Sequence, residues 1–165
     1  MGNGSRLRGW AFGGVVCALF VLTACAGPYQ YYGGTGLHDA TAAEAAGTWA
    51  NVDETRLTLR RDGTALVSRL DGATFDFDDG WRLSGTGTWK LTDDSDGQEV
   101  HVTLTTRTGV DTRANADTDR SAVDLQPPST YTWHFYVDRD DRDALVLFFL
   151  YGDPDVGNTY VMSRV

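Results

Sequence analysis

Three acid-rich stretches hold the residues with the most evident capacity for chemistry. "DFDDG" carries Asp76, Asp78 and Asp79; "DDSDG" carries Asp93, Asp94 and Asp96; "GDPDVGN" carries Asp153 and Asp155. Carboxylates beside glycine suit a hard cation such as calcium, whose helix-loop-helix site needs oxygen ligands at positions 1, 3 and 5, Gly at 6 and an acid at 12. Placing Asp94, Asp96 and Gly97 at positions 3, 5 and 6 puts Thr92 at 1 and Thr103 at 12, so both ends of the loop lack a carboxylate. Asp and Gly also build tight turns with no ion at all. Asp94, Asp96, Asp153 and Asp155 therefore stand as candidate cation ligands beside the simpler reading of solvated turns. No cofactor is expected.

Other catalytic constellations are thin. A glycosidase needs two carboxylates about 5 to 9 Å apart across a cleft, but a chain with 23 acids supplies some such pair by chance. His38, His101 and His134 are scattered along the sequence. His134 alternates with Trp133 and Phe135, as a surface or hydrogen-bonded strand histidine does. The nucleophile elbow, the zinc-protease helix and the phosphate-binding glycine loop are all missing from the sequence. No catalytic residue is assigned and a non-enzyme is expected. An extracytoplasmic hydrolase using a carboxylate pair remains the alternative.

Cysteine is the informative residue type. Cys17 lies inside an apolar run from Trp10 to Ala24, and Cys25 closes it. Arg6 and Arg8 precede the run. At 15 residues it is shorter than the roughly 20 that a bilayer-spanning helix needs, and a basic start followed by a short apolar stretch reads as an export signal. Leu22-Thr23-Ala24-Cys25 resembles the bacterial lipobox. That resemblance implies removal of residues 1–24 and a thioether-linked diacylglycerol on Cys25. Two acyl chains anchor stably, at about 0.8 kcal/mol per buried methylene. Cys17 would leave with the signal and Cys25 would be acylated, so no thiol would remain for a disulfide, a zinc site or a nucleophile.

The charge balance narrows the partners. The net charge is −9, carried by 20 Asp and three Glu, and Lys90 is the lone lysine among the 14 basic residues. Nucleic-acid affinity rests on phosphate contacts from a basic stripe, so nucleic acid is not an expected partner. Attraction to anionic lipid needs a polybasic patch, which leaves the acyl chains on Cys25 as the means of holding the membrane. The expected location is the extracytoplasmic face of the cell membrane.

These side chains must be positioned by strands. Residues 25–46 read as a lipidated N-terminus and tether, with a short helix over 40–46 marked by Thr41 and Glu44 at capping-box spacing. From Gly47 to Val165 the pattern is β. "RLTLRRDGTALVSRL" places Asp62-Gly63 between two alternating runs, a strong hairpin signal. Trp89 and Leu91 share one face before the Asp-rich turn at 93–97, and Val100, Val102 and Leu104 share one face after it. Residues 107–127 are polar and end in Pro127-Pro128, so they read as a long loop. Tyr131, Trp133, Phe135 and Val137 alternate with polar neighbours, whereas 144–151 is apolar on both faces, as in a strand covered on both sides. "DRDDRD", 138–143, reads as a charged hairpin tip between them. About eight strands in sequence order, with no long helix to cover a sheet, predict an all-β, antiparallel up-and-down meander closing into a small barrel.

Gly47-Thr48-Trp49 at the start of the first strand resembles the Gly-x-Trp of lipocalin-like (calycin) barrels. That resemblance implies that Trp49 plugs one end of the barrel under an arginine near the last strand, for which Arg164 is the candidate. The lipobox, the Asp/Arg/Thr-rich composition and the C-terminal Gly152-Asp153-Pro154-Asp155 segment also resemble small actinobacterial lipoproteins, a likeness that brings no activity with it. The aromatics read as core, with a cavity lined by some of them and open to an apolar ligand as the sharper version. The expected protein is a monomeric, lipid-anchored binding or interaction domain. Its expected partner is a small apolar ligand or a cell-envelope protein, and a structural role in an envelope complex is a further alternative.

Overall fold

The computed structural model describes residues 33–52, 54–72, 81–112, 127–151 and 157–165. Eight strands follow a short helix: α1 (Ala42–Ala45), β1 (Gly47–Ala50), β2 (Arg56–Leu59), β3 (Thr64–Asp71), β4 (Trp81–Asp94), β5 (Gly97–Thr112), β6 (Tyr131–Arg139), β7 (Leu145–Tyr151) and β8 (Asn158–Arg164). Each pairs antiparallel with the next, and β8 returns to β1 through Trp49 opposite Arg164 and Ala50 opposite Ser163. The sheet is a closed up-and-down barrel, as the alternation predicts. Closure removes the exposed strand edges that an eight-stranded open sheet would leave.

The local chemistry explains the turns. In the β2–β3 hairpin the Arg60 N–H donates to Thr64 O (2.8 Å), and Asp62 Oδ1 accepts from the Thr64 N–H (2.9 Å). Thr41 and Glu44 form the expected capping box at the start of α1. The long β4–β5 hairpin bends where its register shifts, at Ser84/Gly85 and Thr86/Gly87. A Cβ on Gly87 would lie 1.9 Å from the Thr103 carbonyl oxygen, and one on Gly85 would lie 2.1 Å from that of Thr106. Only glycine lets the two backbones come so close, which is how the hairpin coils enough to close a barrel.

Two expectations need correction. β5 runs through Thr112, so the segment from 107 is strand for six residues before the long connection begins. Its apolar alternation is faint, but Arg107 to Thr112 pair along β4 from Gly85 to Trp81, and threonine and valine suit an extended backbone. The tether also ends earlier than residue 46, because the chain is already bound to the barrel from residue 34. The Gly36 N–H donates to Asp96 O (2.9 Å), Thr35 Oγ1 donates to Val137 O (2.7 Å) and Leu37 O accepts from the Gln98 N–H (2.8 Å). Gln98 completes the clamp: its side-chain amide accepts from the Ala40 N–H (2.8 Å) and donates to Ala40 O (3.0 Å), while itself buried.

The described interior is packed with side chains. Trp49, Leu57, Leu83, Leu104, Trp133, Phe135, Leu147 and Met162 are wholly buried in one continuous cluster. Phe149 stacks on Tyr160 at 4.7 Å and meets Phe135 edge-on at 5.4 Å. The expected cover on both faces of β7 is only partial: Leu147 and Phe149 face the core and the outward Phe148 is buried, meeting Tyr136 at 5.4 Å, whereas the outward Val146 and Leu150 are half-buried.

The two ends differ. At one end the chain enters through α1, and the Trp49 indole N–H donates to Ala45 O (2.9 Å) beneath Arg164. The tight hairpins after β2, β4 and β6 lie at this plugged end. β1, β3, β5 and β7 end, and β2, β4, β6 and β8 begin, at the other, and the connections after β3, β5 and β7 are the longer ones in sequence.

Candidate functional site

The antiparallel register gathers polar residues that are far apart in sequence. On the outer face, His101 of β5 stands directly opposite His134 of β6, and Glu99 lies two residues before His101 on the same face. The imidazole centroids are 4.1 Å apart with the rings tilted by 44°. Glu99 Oε2 lies 2.8 Å from His101 Nε2 and 3.4 Å from His134 Nδ1, so one carboxylate oxygen serves both rings. Thr92 on β4 donates its hydroxyl to Glu99 O at 3.2 Å. The scattered histidines of the sequence are thus, for two of the three, a contact pair. The third, His38, pairs separately with Asp93 at 2.7 Å.

The sequence-derived cation ligands fare differently. Asp94 ends β4 and pairs with Gly97 at the start of β5, and Asp96 is the second residue of the two-residue turn between them. Asp94 Oδ1 accepts from the Asp96 N–H (2.9 Å) and Asp96 O accepts from Gly36, so both are engaged in building the turn. Thr103 sits well along β5 beside Thr132 (3.2 Å), so no twelve-residue calcium loop forms. Asp94 and Asp96 do line a shallow dent of about 60 Å³ together with Gly34, Gly97, Glu99 and Tyr136. That dent adjoins the histidine pair through Glu99. Asp153, Asp155, Asp76, Asp78, Asp79 and Cys25 lie outside the described residues.

A second constellation is buried at the end opposite the plug. Arg82 NH2 donates to Thr55 Oγ1 (2.6 Å), which lies 2.6 Å from the Tyr160 hydroxyl. Tyr160 donates in turn to Asp71 Oδ2 (2.9 Å), and Asp71 Oδ2 faces Arg82 Nε at 3.5 Å. The loop of contacts is closed. Burial pushes the Tyr160 phenol well up; the Thr55 hydrogen bond opposes that rise and the Asp71 charge adds to it. The phenol is therefore a fixed donor. The register slip between Val67 and Leu70 in β3 brings Leu70 onto the core face opposite Leu83, and the next residue, Asp71, is buried beside its cross-strand partner Arg82. Trp133 fastens the same corner by donating its indole N–H to Asp71 O (2.7 Å).

This ring was missed by sequence reasoning, which had no periodic signal to follow. Thr55 follows Asp53 and Glu54 in a polar stretch, Arg82 alternates with Trp81 and Leu83 as an outward strand residue does, and Asp71 precedes a glycine as a turn aspartate does. An aromatic group stands beside it: Trp81 meets Tyr131 edge-on at 5.5 Å, and Tyr131 lies 4.7 Å from Trp133. Compared with known proteins, the chain matches no family model, no curated protein and no solved structure. The functional reading rests on the geometry and the sequence alone.

Proposed function

We propose that the chain is a lipid-anchored binding domain on the extracytoplasmic face of the cell membrane, held by acyl chains on Cys25. The observation that carries the reading is the position of the entering chain. Residues from Thr35 to Ala40 are hydrogen-bonded across the plugged end of the barrel, so the segment leading back to Cys25 leaves from that end. From Cys25 to Gly33 is eight residue steps, a reach of at most about 29 Å at roughly 3.6 Å per step. The plugged end then faces the membrane and the longer connections face outward. At the outward end the partly buried Tyr131 packs on the buried Trp81 beside the polar ring, and the exposed Val52, Val110 and Val161 stand on the strands and connection near that end, apolar groups that a small apolar ligand or an envelope protein could cover. In this reading the −9 charge supports solubility and gives no help with membrane attachment.

The test is Cys25→Ser. Membrane-fraction protein should carry diacylglycerol mass on Cys25 in the parent, and the variant should lose both that mass and lipoprotein-type cleavage while keeping its β circular dichroism. Parent protein recovered from membranes without acyl mass on Cys25 overturns the reading.

A further inference from the structure

The outer face of β5 and β6 carries a group that the anchored-domain reading does not use. We propose that Glu99, His101 and His134 bind a divalent transition-metal ion of the zinc, nickel or copper class. The proposal stands independently of the anchor.

Geometry supplies the first argument. Zinc sits about 2.0–2.1 Å from imidazole nitrogen and about 2.0–2.2 Å from carboxylate oxygen, so neighbouring ligands around one ion lie roughly 3 Å apart. Two of the separations already have that size, 2.8 Å from Glu99 to His101 and 3.4 Å from Glu99 to His134. All three ligand atoms fall within 4.8 Å of one another. The remaining gap closes by rotation of the His134 ring, whose side chain is 58% exposed. Thr92 Oγ1 lies 3.4 Å from His101 Nε2, and when the ion takes that nitrogen Thr92 keeps its hydrogen bond to Glu99 O, so closing the site strands no hydroxyl.

Ligand chemistry supplies the second. Two imidazoles and one carboxylate suit borderline metals, whereas calcium and magnesium take oxygen ligands. Three protein ligands also leave an open position for water or for a group on another molecule. Paired strands hold His101 and His134 in register, so two of the three ligands start from a fixed backbone spacing.

Charge supplies the third. The adjoining dent brings Asp94 and Asp96 toward Glu99, a local field that favours a cation. Lys90 lies opposite His101 on β4 and opposes that field, but it is exposed and its long stem lets the ammonium stay in water.

The experiment titrates the full chain in detergent micelles with Zn²⁺ at neutral pH, by calorimetry and by histidine ring-nitrogen NMR. One ion should bind per chain, His101 and His134 resonances should shift together, and Ca²⁺ should not compete. His101→Ala and His134→Ala should each weaken binding by no less than the roughly 10–100-fold that losing even an outer-shell partner costs. Glu99→Gln should weaken it too, and His38→Ala should leave it unchanged. His134 is exposed enough that its variant keeps the parent's melting behaviour, so it carries the test if His101→Ala misfolds. Zn²⁺ affinity that survives His134→Ala, or that disappears with His38→Ala, overturns the proposal, as does the lack of any Zn²⁺ binding up to millimolar concentration.

Discussion

Arg164 places its guanidinium 5.1 Å from the centre of the Trp49 ring and also donates to Ala46 O at 3.2 Å, tying the last strand to the first. The same two residues are cross-strand neighbours at the seam where the barrel closes. Trp49 is completely buried and its indole N–H is satisfied by Ala45, so one side chain closes the seam and seats α1. Trp49→Ala should cost about 3–5 kcal/mol, as for a large buried aromatic. Arg164 is exposed, so Arg164→Ala should cost only about 0.5–1 kcal/mol. In the Trp49→Ala background the arginine loss should be smaller still, because the ring it covers is gone. Urea denaturation of the four proteins measures the coupling; strictly additive losses would show that the stacking contributes nothing.

The polar ring predicts an alkaline signature. In the folded chain Tyr160 keeps its proton above the roughly pH 10 at which an unfolded tyrosine releases it. The folded state then binds more protons than the unfolded one, so stability falls as pH rises beyond about 10. Below that the contribution is fully present. Tyr160→Phe preserves the stack on Phe149 but removes the donor to Asp71, and should cost about 1–3 kcal/mol at neutral pH. Its melting temperature should also decline less steeply than the parent's between about pH 9 and pH 11. Equal alkaline slopes in the two proteins would refute the buried-phenol account.

Much of the barrel was legible because period-two alternation and turn chemistry are local. Asp62-Gly63 and the 93–97 turn mark two hairpins, and the face shared by Val100, Val102 and Leu104 is the core face observed. Trp49 and Arg164 were legible through a resemblance, not through any pattern of spacing. The histidine pair was not legible. Its formation depends on the β5–β6 register, and a long connection lies between those strands, so no short turn sets it. Asp71 was hidden for a different reason. Its burial depends on partners from distant strands, Tyr160, Arg82 and Trp133, and no local pattern places these around it. Residues 34–38 read as linker because glycine and histidine show no periodicity; their order comes from hydrogen bonds to turns far away in sequence.

That docking gives the final prediction. Proteins beginning at residue 33 and at residue 39 should both fold as barrels, since the core cluster starts at Ala40. The shorter one loses the bonds from Gly36 to Asp96, from Thr35 to Val137 and from Gln98 to Leu37. Part of that loss is offset by the entropy no longer spent on ordering the segment, leaving a cost of about 1–3 kcal/mol. Gly34→Ala offers an independent route to the same end. Gly34 has φ +78, and a Cβ there would lie 2.0 Å from Asp96 O, so alanine should unseat the segment without deleting it. Amide exchange reads the effect locally: the Gly36 and Gln98 amides, protected in the parent, should exchange rapidly in Gly34→Ala. Equal urea midpoints for the two chain lengths, with those amides still protected in Gly34→Ala, would return residues 34–38 to the role of a linker.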